Sequence, residues 1–251
     1  MPAMSNNILK CFLITAHENE AECLEKYSTM ISHLEKISIN LRDMSGLNLT
    51  SSLPKEGGVF ETLLLANAYS LFLSAVRIAL SGQSPPVFAV LRACLESALY
   101  AVIAAQSPIN RKIWLDQSKG VSTCRNLFKK GKAKEYLEKS DLHLSNFVTQ
   151  LYDSLIDFGA HPNSRSILNH LSFETRYERQ AVTLAILHNP DSRSVLGTLA
   201  ACFETGVCVL YLAHHALPQY PPARAAHSHA TDLHREFRDF LRLLDAAEGT
   251  S

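Results

Sequence analysis

Three long apolar stretches, 59–80, 87–105 and 195–217, constrain this chain more than any other feature. Segments this apolar must be covered, either by lipid or by one another. Each carries charge: Arg77 in the first, Arg92 and Glu96 in the second, Glu204 in the third. The longest charge-free part of the first, Thr62 to Val76, is 15 residues. A membrane span needs about 20 predominantly apolar residues, and a charge at its centre costs at least ~2.5 kcal/mol. The expectation is no membrane, and three helices that bury one another in a soluble bundle.

Composition points the same way. Of 251 residues, 47% are hydrophobic and 19% charged, against a usual charged share of roughly a quarter. Such a chain buries extensively, which excludes disorder and a coiled-coil rod. Lys plus Arg equals Asp plus Glu at 24 each, so no global charge draws it to nucleic acid. The six cysteines form no CxxC pair and lack zinc-ligand spacing. They read as small buried hydrophobes in a reducing cytoplasm. The opening MPAMSNNILKCFLITAHENEAE has one lysine and runs straight into acids, unlike a signal peptide.

Periodicity sets the elements. Leu24, Tyr27, Ile31, Leu34 and Leu41 predict one helix over 20–44, followed by a Gly- and Pro-broken loop over 44–58. A helix over 59–81 stops at Gly82. Ser84-Pro85-Pro86 predicts a hydroxyl cap and a proline-started helix that ends before Pro108. One or two short helices are expected over 109–140. An amphipathic one follows over 142–160, through Leu144, Phe147, Leu151 and Leu155. Over 171–187 a hairpin competes with a helix, and the alternation in LSFETRY favours the hairpin. Asn189-Pro190-Asp191-Ser192 caps a helix over 192–217. Residues 1–217 thus read as a mainly α bundle of six to seven helices. The rest, 218–251, reads as a proline-marked linker and an amphipathic helix over 231–246.

Candidate chemistry gathers at few places. Arg92 and Glu96 lie one turn apart on an otherwise apolar helix, so their side chains meet. Buried charge must be partnered. The pair is therefore either a structural brace or part of a pocket lining, with Arg77 and Glu204 able to join it. Asp153, Asp157 and His161 follow at four-residue spacing, which places Asp157 to orient the His161 imidazole, as in a general base. Nine Lys and Arg against three acids over 109–140 make a local basic patch. Lys129, Lys130, Lys132 and Lys134 are its phosphate- or RNA-binding candidates, against a simply solvated hairpin. The histidines of 214–234 lack an acid or cysteine at ligand spacing, so no metal is expected and the segment reads as irregular. No GxGxxG, Walker loop, GxSxG or HExxH occurs, and no cofactor is implied.

The stretch GQSPPVFAVLRACLESALYAVIAA, with R-x-x-x-E on an apolar helix, followed by Tyr152 through His161-Pro162, resembles a group of bacterial all-helical proteins. That group is similar to the HEPN superfamily, whose bundles include metal-independent ribonucleases and non-catalytic dimerising proteins. The resemblance covers about 82–165 and marks Arg92, Glu96 and His161. The HEPN signature R-x(4–6)-H occurs as Arg165–His170 and Arg224–His229, about as often as chance placement gives. Two functions are in view. One is a homodimeric binding module, of unknown ligand, built around a buried Arg/Glu/His cluster. The other is a ribonuclease using His161 and Arg92, or Arg165 and His170, with RNA held along 109–140.

Overall fold

The computed structural model describes residues 7–45, 58–116, 120–160, 171–176, 179–184 and 186–248. The helices are α1 Ile8–Lys26, α2 Ser28–Met44, α3 Val59–Leu80, α4 Ser84–Ala105, α5 Pro108–Leu115, α6 Val121–Leu127, α7 Lys130–Ser140 and α8 Leu142–Leu155. A π turn, Ile156–Ala160, prolongs α8. Strands β1 Leu171–Arg176 and β2 Arg179–Leu184 then pair antiparallel, Leu171 opposite Leu184. Helices α9 Arg193–Ala216 and α10 Pro221–Glu248 complete the chain. The architecture is mainly helical, in more segments than six or seven.

The three apolar stretches form α3, α4 and α9, and α4 lies between the other two. Leu65 and Phe72 of α3, Leu91, Leu95 and Leu99 of α4, and Leu199, Phe203 and Leu210 of α9 are fully buried. Each such side chain stabilises the fold by about 1.5–3 kcal/mol relative to exposure. By length and composition α3, α4 and α9 also suffice to cross a membrane. In this fold protein covers two-thirds of the apolar window in α4 and in α9, but much less of that in α3. Five of the six cysteines are buried free thiols, and Cys11 is exposed.

Several element boundaries differ from expectation. The helix predicted over 20–44 begins earlier and is broken at Tyr27 (φ −101°, ψ 31°). The Tyr27 hydroxyl donates to the Pro190 carbonyl, which fixes the break against the approach to α9. Gln83, rather than Ser84, is the N-cap of α4, and Ser84 opens the helix itself. The 109–140 region holds three short helices, with Ser107 and Asp141 capping α5 and α8 through their side chains.

The expected linker is only a turn, because Pro221 and Pro222 occupy first-turn positions where a missing amide costs nothing. Helix α10 starts there and is no appendage. Ala223, Ala226, Ala230, Leu233 and Phe237 make a buried stripe against α2 and α9. The histidines read as irregular sit on helices, His214 and His227 with ring centroids 4.7 Å apart.

Gly82 closes the α3–α4 turn with φ +84°, where a Cβ would lie 2.3 Å from the His188 carbonyl oxygen. Only glycine fits such a conformation at this separation. The His188 amide donates to the Gly82 carbonyl at 2.8 Å, and Asn19 donates to the carbonyls of Ser81 and His188. The start of α9 is thereby fastened to α1 and to the α3–α4 turn.

Candidate functional site

Helical spacing brings Arg92 and Glu96 together as predicted, with Nε to Oε1 at 2.9 Å. Tyr152 of α8 completes the group. Its hydroxyl donates to Glu96 Oε1 at 2.6 Å and accepts from Arg92 Nε at 3.0 Å. Lys130 and Arg92 both lie over the Tyr152 ring, 4.4 and 5.0 Å from its centroid. Nothing in the local sequence marks Tyr152 as a member, because Arg92 lies 60 residues away.

The cluster is not sealed. Arg92 and Glu96 side chains keep 24% and 32% of their exposure, so "buried" is corrected to half-buried. Arg77 does not join it. That residue is exposed and pairs with Glu20 of α1 at 3.3 Å. Glu204 faces elsewhere, as shown below.

Burial, followed by the hydrogen bond to Glu96, pushes the Tyr152 hydroxyl up to about 12. For Arg92 burial works against the charge, but the Glu96 and Tyr152 contacts outweigh it and raise the guanidinium further. Neither group gives up a proton near neutrality, which suits a brace better than an acid–base device.

Arg92→Ala is therefore expected to cost about 1 kcal/mol, between an exposed and a fully buried pair. A thermal melt showing a loss of several kcal/mol would instead mean that the cluster is closed to water.

Asp157 lies in the exposed π turn, and Asp153 pairs with Lys130 at 2.6 Å. His161, Arg165 and His170 lie outside the described residues. Lys132 and Lys134 face Glu135 and Glu138 at 2.6 and 3.5 Å. Much of the basic patch thus has its charge answered locally. Among the described residues no group of three His, Cys, Asp or Glu could hold a metal.

A second site, not read from the sequence, lies between α4, α8 and α9. Ser84 and Phe88 of α4, Leu151, Ser154 and Leu155 of α8, and Phe158 of the π turn face Arg193, Ser194, Gly197, Ala200, Ala201 and Glu204 of α9. Together they enclose a cleft of about 460 Å³. The cleft exists because α9 presents only small residues at 197, 200 and 201 where α4 and α8 present large ones.

The π turn builds one end of the cleft. It stacks Phe158 on Phe88 at 5.7 Å, and Gly159 lets its backbone approach Pro85, where a Cβ would lie 2.9 Å from the carbonyl oxygen. Glu204 reaches solvent, yet surrounding protein raises its carboxyl above the ordinary range by desolvation. It has no hydrogen bond or ion pair among the described residues. No protein-family model, no curated protein and no solved structure matches this chain.

Proposed function

We infer that this chain is a helical binding module that takes a small, largely apolar molecule in the cleft between α4, α8 and α9. The observation that carries this reading is the cleft itself: a preformed cavity with apolar walls and a few polar groups, within the roughly 300–1,000 Å³ typical of small-molecule sites. The Arg92–Glu96–Tyr152 cluster ties α4 to α8 and so holds one wall in place. Five buried free thiols support a reducing compartment such as the cytoplasm. The ribonuclease alternative, through His161 and Arg92 or Arg165 and His170, finds less support, because Lys130, Lys132 and Lys134 face carboxylates.

A second copy of the chain belongs to this reading as its partner. Ile8, Leu9, Leu13 and Ile14 leave the first half of α1 with an apolar surface in water. Sedimentation equilibrium would count the copies.

The test of the cleft uses Gly197. A Cβ there meets nothing within 4 Å, so a larger side chain starts in open space beside the cleft, and replacing a helical glycine favours the helix. Gly197→Leu should keep the melting temperature and lose most binding of Nile red, a neutral apolar dye. Equal dye binding by both proteins would place the ligand elsewhere.

A further inference from the structure

We propose that the cleft is selective for a cationic amphiphile, an alkylammonium-type molecule whose positive head meets Glu204 and whose tail lies along Phe88, Leu155 and Phe158. This rests on the cleft being the binding site and adds what kind of molecule binds there.

The first ground is a comparison among the charges on the apolar helices. Arg77 pairs with Glu20, Arg92 with Glu96, and Glu61 of α3 with Arg111. Glu204 is the exception, with no ion pair or hydrogen bond among the described residues. Its neighbours Cys202, Phe203, Thr205, Gly206 and Val207 are buried. Glu204 itself reaches solvent, so its charge is tolerated, but the fold supplies it no cation among the described residues. A ligand would supply one.

The second ground is the charge balance of the cleft. Its other charged group is Arg193, eleven residues away on the same helix, or about 16 Å at 1.5 Å per residue. Arg193 is already engaged in the structure. Helices α4 and α8 contribute only serine hydroxyls and apolar side chains, with no titratable group. Near Glu204 the cleft is therefore negative, with nothing in the described walls to oppose it.

The third ground is shape. Small residues at 197, 200 and 201 make a groove along α9, and the facing aromatic and leucine side chains give an apolar track leading away from Glu204. A compact head on a flexible tail matches both parts. Raising the pH through the Glu204 titration creates the charge that the head needs. Affinity for the cation should thus fall as pH is lowered, starting above the usual carboxylate range because burial raises this carboxyl.

Calorimetric titration of the full chain with octyltrimethylammonium, octanol and octanoate, which share one tail, separates the possibilities. The ammonium compound should bind about tenfold more tightly than octanol, the scale of one partly desolvated ion pair, and octanoate should bind more weakly than either. Glu204→Gln should erase the ammonium preference over octanol. Equal affinities for all three, or an ammonium preference that survives Glu204→Gln, would overturn the inference while leaving the cleft as a binding site. If none of the three binds, and Gly197→Leu has no effect on Nile red, the cleft reading fails and the inference with it.

Discussion

Arg111→Ala should lower the melting temperature by an amount on the order of 10 °C, the largest loss expected of any single charge removal here. Glu61 is fully buried at the start of α3, and Arg111 Nε reaches its Oε1 at 2.6 Å. Among the described residues its Oε2 has no hydrogen-bond partner. Removing the guanidinium strands a carboxylate in the interior, at about 3–5 kcal/mol. Replacing both residues by methionine should cost less than the single change, because no unpaired charge remains. Differential scanning calorimetry of the two variants decides it. If Arg111→Ala melts with the parent, the carboxylate is reached by water and the pair is a surface contact.

Phe203→Ala should cost a similar 3–5 kcal/mol through lost packing. Phe203 is fully buried on α9 and stacks on Phe237 of α10 with ring centroids 3.9 Å apart. The His33 ring of α2 meets it edge-on at 6.1 Å. The hole would open where α2, α9 and α10 join, so urea unfolding should show a reduced midpoint, with α10 loosened first. Leu63→Ala, at a side chain 62% exposed on α3, should stay within about 0.5 kcal/mol. Equal effects from the two changes would mean that the junction is not packed as described.

These residues also show how far the sequence could be read. Local rules carried well where one helix supplies both partners. Arg92 and Glu96 meet at i, i+4, and the Ser192 hydroxyl caps α9 by accepting from the Ser194 amide. The alternation in LSFETRY falls on β1, which pairs with β2. Heptad-like spacing runs through Tyr27 without interruption, so the break there was hidden, because it depends on Pro190, 163 residues away.

Glu61 and Arg111 are fifty positions apart, and neither spacing nor composition links them. The prolines at 221–222 signal a linker by composition, yet proline fits the first turn of a helix equally well. The cleft is the least legible feature. It is a space left where small residues oppose large ones, and only the packing of α4 and α8 against α9 shows which residues are opposed.

The seating of α2 has a consequence for how the chain is made. Its buried face, Met30, Leu34, Ile37 and Leu41, is covered by α9 and α10 as well as by α3, and Lys36 pairs with Glu236 across 200 residues of sequence. At a synthesis rate of about 5–20 residues per second, the interval between those two residues is roughly ten to forty seconds. Throughout it the nascent chain can cover α2 with α3 but not with α9 and α10. The packing of the first quarter of the protein is thus completed only when the last has been made.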